Sequence, residues 1–159
     1  MTQNATICVG TLGQGIWRSS DGGDTWLRVR HGLYSESAVR ALAVHPSDPH
    51  IMYCGAHSGV YRSEDGGKIW EFVTSGVTDP DIHNLAITVG PPKTLLTVTP
   101  REIFSSTDNG ATWEPMQVRS QVSVPYCRGV LVKADDPQVI YLGNGEIAFG
   151  GCHRASRSS

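Results

Sequence analysis

Three times along this 159-residue chain the pattern Ser-x-Asp-x-Gly-x-x-Trp recurs, as Ser19-Ser20-Asp21-Gly22-Gly23-Asp24-Thr25-Trp26, Ser63-Glu64-Asp65-Gly66-Gly67-Lys68-Ile69-Trp70 and Ser106-Thr107-Asp108-Asn109-Gly110-Ala111-Thr112-Trp113. With Trp a rare residue, four fixed positions match by accident roughly once in a few hundred thousand windows, so the three copies are a repeat. Their aspartates lie 44 and 43 residues apart. A fixed period in this range marks stacked supersecondary units, each too small to bury its own apolar face. The residue types suit a tight hairpin turn. A short Asp or Ser side chain bonds backbone amides one or two residues on, and glycine supplies positive φ. The Trp then opens the next strand, covers the hairpin with its ring and finds a partner for its indole N–H near the surface.

Holding the aspartates in register aligns the rest of each unit. Eleven residues upstream stand Gly10, Cys54 and Thr97 within short β-prone runs, and four and five residues upstream stand Ile16-Trp17, Val60-Tyr61 and Ile103-Phe104. An apolar residue followed by an aromatic one suits a short strand entering the turn. Further upstream, the runs from Val39 to Val44 and from Ile82 to Ile87 read as inner strands covered on both faces. The resulting fold class is all-β: a partial β-propeller of about three and a half blades, each a four-stranded antiparallel meander. The expected single domain spans 1–159, with blade one at 5–30 lacking its inner strand, blade two at 39–74, blade three at 82–117 and an incomplete blade four at 127–159. Arg128 to Tyr141 repeats the cadence of Arg40 to Tyr53, with Asp-Pro at the same turn, and the terminal Arg157-Ser158-Ser159 reaches the place where a fourth aspartate is due. The sequence thus reads as the front of a longer protein, with a complete small β-domain as the alternative. An open array leaves raw strand edges through which copies can associate.

Composition narrows the class further. A net charge of −2, with no block of Lys or Arg, argues against a nucleic-acid or membrane-surface role. No apolar stretch is long enough to span a bilayer, and no signal peptide is visible, so a cytoplasmic location is the expectation. Cys8, Cys54, Cys127 and Cys152 lack C-x-x-C spacing and read as free thiols, while the six histidines show no metal-ligand pattern. His45 sits at a repeat position that Lys133 fills elsewhere. Neither a metal nor a cofactor is expected.

The recurring residues resemble the Asp-box, or bacterial neuraminidase repeat (BNR), whose usual form is Ser/Thr-x-Asp-x-Gly-x-Thr-Trp. The first and third copies match it fully. The second has Ile69 in place of Thr, which weakens one side-chain hydrogen bond but keeps Ser63, Asp65, Gly67 and Trp70. The longer cadence VHPSDPHIMYCGAHSGVYRSEDGG is similar to blades of sialidases, xyloglucanase-type glycoside hydrolases, sortilin-like receptors, photosystem II assembly-factor-like proteins and bacterial proteins described as "glycosyl hydrolase, BNR repeat". The resemblance implies that the box is a structural turn between the third and fourth strands of a blade, usually away from the active site. Ser19, Asp21, Gly23 and Trp26, with Ser63, Asp65, Gly67 and Trp70 and Ser106, Asp108, Gly110 and Trp113, are therefore structural residues.

The topology of a four-stranded meander sends those turns to one face and the crossovers between blades to the other. A ligand is expected on the crossover face, where polar residues gather, and the candidates are Arg40, His83, Arg128, Tyr34, Glu36 and Tyr126. Arg40 and Arg128 hold equivalent positions in blades two and four, with His83 between them, so three basic groups can converge near the central channel. Two functions follow. One is a binding or scaffold module with a protein or carbohydrate ligand. The other is a glycoside hydrolase, which needs two carboxylates about 5 to 9.5 Å apart, one with a raised pKa. Glu36, Asp79, Asp81, Glu102 and Glu146 supply carboxylates, but no spacing pairs any two, and the Arg-Ile-Pro motif that precedes the first box in sialidases is absent.

Overall fold

The computed structural model describes residues 5–90, 93–121 and 126–145. The expected terminal stretch with Arg157-Ser158-Ser159, the loop residue Glu146, Cys152, His153 and residues 122–125 of the third crossover lie outside them. The described residues form four antiparallel meanders. The first sheet runs β1 (Ile7–Gly10), β2 (Ile16–Ser19) and β3 (Leu27–Arg28), and the second β4 (Val39–His45), β5 (Asp48–Ala56), β6 (Gly59–Ser63) and β7 (Glu71–Phe72). The third runs β8 (Asn84–Ile87), β9 (Leu95–Val98), β10 (Ile103–Ser106) and β11 (Glu114–Pro115), and the fourth pairs β12 (Tyr126–Lys133) with β13 (Asp136–Gly145). This is an arc of a β-propeller, and among the described residues its first sheet has no strand inside β1. Among the described residues no helix is long and apolar enough to cross a membrane.

The recurrent turn joins the last two strands of each complete sheet, and its chemistry is reciprocal. Ser19 Oγ donates to Asp21 Oδ1 at 2.7 Å and accepts the Gly23 amide at 2.8 Å, while Asp21 Oδ1 accepts the Thr25 amide at 3.0 Å. The same bonds recur at Ser63 and Asp65 and at Ser106 and Asp108. The reach differs from the expected one or two residues. Both side chains span four, because the loop curls back over itself at the positive φ of Gly23, Gly67 and Gly110. In the outer two turns Thr25 and Thr112 hydroxyls also donate to the aspartate, at 2.5 and 2.6 Å. At Ile69 that bond is missing, and the Lys68 amide donates to Asp65 instead, at 2.9 Å.

The core lies in the seams between sheets. Ile16, Leu33 and partly buried Cys8 meet Val39, Met52 and Trp70 in the first seam; Tyr53 and Val60 meet Ile82, Phe104 and Trp113 in the second; Leu96, Val98 and Ile103 meet Cys127 and Val130 in the third. Among the described residues backbone bonds stitch the first two seams twice and the third once. On the inner side the Val39, Ile82 and Cys127 amides donate to the carbonyls of Thr11, Ala56 and Pro100 in the preceding sheet, at 2.8, 3.0 and 3.1 Å. On the outer side the Trp70 and Trp113 amides donate to His31 and Ser75 carbonyls of the preceding crossover, at 3.2 and 2.9 Å. Trp70 and Trp113 are 1% and 3% exposed, whereas Trp26, with no sheet in front of it, is 38% exposed.

Two sequence alignments shift on inspection of register. Gly10 pairs with Ile16, but Gly55 pairs with Val60 and Val98 with Ile103. Gly10 therefore corresponds to Gly55 and Val98, one residue beyond the Cys54 and Thr97 expected. The hairpin from Thr11 to Gly15 in the first sheet is one residue longer, and a one-residue slip exchanges the faces of a strand. The inner strand β4 is also less covered than expected, with Val44 52% exposed: paired with Met52, it faces the first sheet, which has no described strand inside β1.

Close approach makes the crossover glycines critical. A Cβ on Gly76, at φ +95°, would lie 2.1 Å from the Trp113 carbonyl oxygen, whereas one on Gly13, at the same φ, meets nothing within 4 Å. Gly76→Ala should lower the denaturation midpoint far more than Gly13→Ala, with a loss of about 2–4 kcal/mol against about 1–2 kcal/mol for the φ strain alone. Urea unfolding of the two variants measures the difference. The turn aspartates give a second expectation. Hydrogen bonds from the Thr112 hydroxyl, the Thr112 amide and Ser106 hold Asp108 down to about 2, and the corresponding bonds from Thr25 and Ser19 hold Asp21 lower still. With the folded pKa below the unfolded one, this stabilisation is complete above about pH 4 and is lost as pH falls towards 2. Asp108→Asn should flatten the acid limb of a melting-temperature profile over that window.

Candidate functional site

The crossover into the third sheet delivers Asp81, Ile82 and His83 to the head of β8, and Ile82 is anchored by its buried side chain and its amide bond to Ala56. With the middle residue fixed inward, Asp81 and His83 serve the surface beside it. Asp81 Oδ1 accepts the Arg40 guanidinium from β4, and Asp81 Oδ2 lies 3.1 Å from His83 Nε2. The His83 ring meets Tyr126 of β12 edge to face at 5.5 Å, and the Arg128 guanidinium lies 4.7 Å over the same Tyr126 ring. The structure thus gathers Arg40, His83, Tyr126 and Arg128 into one row across the heads of three successive inner strands. Asp81, read from the sequence as one of five carboxylates with no pairing and not among the ligand-binding candidates, is the member that links Arg40 to His83. Its signal was the Asp-x-His spacing on either side of an apolar residue.

Burial pushes the Asp81 carboxyl upward, but the Arg40 hydrogen bond and charge and the His83 contact outweigh it, and the group is held below its usual range. Arg40 and Asp81 are each about a third exposed, so the pair contributes only about 0–1 kcal/mol to stability. The stacking of Arg128 on Tyr126 is worth about 0.5–1 kcal/mol at an exposed site. The row is therefore an organised polar surface rather than a pillar of the fold.

Tyr34 and Glu36 stand apart from it. Tyr34 is 71% exposed and lines a groove of about 520 Å³ with Leu33, Ser58, Tyr61 and Phe72. The Ser35 hydroxyl donates to Glu36 at 2.6 Å and lowers its pKa. Neither residue makes a hydrogen bond, ion pair or ring contact with the Arg40 row among the described residues. The other carboxylates act as local acceptors: Glu102 Oε1 takes the Ile103 and Val118 amides at 2.9 and 3.0 Å, and Asp79 takes the Asp81 amide at 3.3 Å. The carboxyls whose pKa the fold displaces, Asp21, Glu36, Asp65, Asp81 and Asp108, are all moved downward. Cys8, Cys54 and Cys127 are free thiols, and burial pushes Cys54 up to about 12. No group of three or more His, Cys, Asp or Glu side chains is placed to hold a metal among the described residues.

No protein-family model matches the sequence, and no curated protein does so significantly. Solved structures do. An ancestral GH74 enzyme matches with a TM-score of 0.69 at 18% identity, over 89% of this chain and 20% of the other. The structure of YCF48 bound to D1 peptide matches at 0.61 and 14%, over 84% of this chain and 44% of the other, and the GH74 enzyme of Niastella koreensis at 0.60 and 22%, over 82% and 23%. This chain spans less than half the length of each. At these identities the likeness establishes the β-propeller fold, which hosts both enzymes and binding proteins.

Proposed function

We propose that this chain is part of a BNR/Asp-box propeller that acts as a binding or scaffold module, taking a protein or carbohydrate ligand on its crossover face. The observation that carries this reading is the row from Arg40 through Asp81, His83 and Tyr126 to Arg128. With Arg40 paired to Asp81, the Arg128 guanidinium beside the Tyr126 ring suits a ligand that offers a carboxylate or other anionic group next to a flat or apolar one. That a propeller of similar fold has been solved with a peptide bound supports the choice of binding over chemistry. The three cysteines among the described residues are unpaired, which suits the reducing conditions of the cytoplasm.

Self-association through the open first sheet belongs to the same reading. Ile7 and Val9 of β1 are 36% and 43% exposed, while Met52 and Cys54, which their register makes equivalent, are 6% and 0% exposed beneath the preceding sheet. A second copy has Leu131 and Tyr141, 65% and 53% exposed on its last sheet, to place there.

The test is titration of the protein with a peptide that has an acidic C-terminus, with a sialoside and with a glucan oligomer, followed by the Arg40→Ala/Arg128→Ala variant. Binding of one ligand is expected to weaken by about tenfold or more in the variant, as for loss of charged hydrogen bonds, with the melting temperature nearly unchanged. Undiminished binding would sink the assignment of this row. Turnover of a chromogenic sialoside or glucoside would favour the hydrolase instead.

A further inference from the structure

The first seam opens at the perimeter, on the side of the Ser-Asp turns, into a cleft of about 230 Å³ that is separate from the Arg40 row. Arg18, Arg30 and Lys68 line it together with His31, over apolar surface from Leu27 and Val29, and none of its lining residues is acidic. Backbone structure places the segments that carry these side chains. Arg18 reaches across the seam, its Nε donating to the Gly66 carbonyl at 2.8 Å. The His31 carbonyl accepts the Trp70 amide, and His31 forms a parallel bridge with Ile69, which seats the Arg30-His31 segment beside the second turn. Lys68 projects from that turn. The nearby Asp65 carboxylate accepts the amides of Lys68 and Ile69 and the Ser63 hydroxyl through Oδ1 alone, and its charge also attracts that of Lys68. Among the described residues Arg30 and Lys68 have no side-chain hydrogen bond or ion pair.

The second seam serves as an internal control. The register of the turns puts Arg62, Glu71, Thr74, Ser75 and Ala111 where the first seam has Arg18, Leu27, Arg30, His31 and Lys68. Its single cation, Arg62, is paired with Glu64 at 2.6 Å. Both seams close with the same backbone bonds, so the fold does not require the basic set. The charge is specific to one cleft of a chain whose net charge is −2.

We propose that this cleft binds the phosphate or sulfate group of a small organic ester, with Arg18, Arg30 and Lys68 meeting the anion and Leu27 and Val29 carrying the organic part. Three permanent positive charges in one small space favour a tetrahedral oxyanion, which offers several acceptors to guanidinium and ammonium donors at once. The small volume and the absence of a basic stripe beyond it favour a compact ligand over a polyanionic chain.

Calorimetric titration with phenyl phosphate, phenyl sulfate, inorganic phosphate and a heparin oligosaccharide tests the site, and the preferred ester identifies the source of the anion. At least one phenyl ester is expected to bind more tightly than inorganic phosphate and to weaken with added salt. Arg30→Ala/Lys68→Ala should weaken that binding by about tenfold or more, the loss that follows removal of charge-assisted hydrogen bonds. Both side chains are exposed, so the variant should fold, and an unchanged melting temperature verifies this. Arg62→Ala in the second seam and Arg40→Ala/Arg128→Ala in the inner row should leave ester binding intact, which separates this site from the one proposed above. Ester binding that survives Arg30→Ala/Lys68→Ala, binding of heparin without either ester, or esters no tighter than inorganic phosphate would each overturn the proposal.

Discussion

Everything in this chain hangs on a serine hydroxyl and an aspartate carboxylate that close a loop of four residues and so aim a tryptophan backward at the sheet before it. Ser63 and Asp65 hold the Gly67 and Ile69 amides, the loop delivers Trp70, and the Trp70 amide bonds the His31 carbonyl of the preceding crossover. The ring then fills the seam. A local turn is thereby converted into a contact between sheets some forty residues apart in sequence. The largest buried side chains, Trp70, Tyr53, Tyr61 and Phe104, lie in these seams rather than within any single sheet.

The two ends of each seam do different work. The outer end is sealed by the tryptophan and a crossover glycine that has no room for a side chain. The inner end is tied by one amide at the head of each inner strand, and the residue carrying it, Val39, Ile82 or Cys127, is buried. Its sequence neighbours are less buried, from His83 with 11% of its side chain exposed to Arg40 and Arg128 on the surface. Repetition of this geometry is what brings Arg40, His83 and Arg128 into line, since each follows an anchored residue by one position. The site is a by-product of the closure rule, decorated by sequence.

Much of the fold was legible because the repeat is a local signal with long-range meaning. The turn residues and the apolar-aromatic pairs at Ile16-Trp17, Val60-Tyr61 and Ile103-Phe104 place β2, β6 and β10 directly. What escaped were quantities that depend on loop length. The longer hairpin from Thr11 to Gly15 moves the register of β1 by one residue, and no residue-type pattern announces a single insertion. Of the candidate site, the basic groups were readable by equivalence, and their grouping with Tyr126 is geometric fact. The link through Asp81 was not readable, because it joins two sheets through side chains on a crossover. Tyr34 and Glu36 were grouped with the row only because they share its face. The basic cleft of the first seam was invisible for a similar reason: Arg18, Arg30 and Lys68 are scattered in sequence and meet only across a seam.

The confinement of the core to seams has a consequence for how the molecule comes apart. Each sheet is supported solely by its immediate neighbours, so free energy is distributed along a line rather than around a centre, and opening at one position leaves distant positions intact. Among the described sheets the second and third are gripped from both sides. Cooperativity in such an array is a property of the joints, and the weakest joint sets the pace at which it parts.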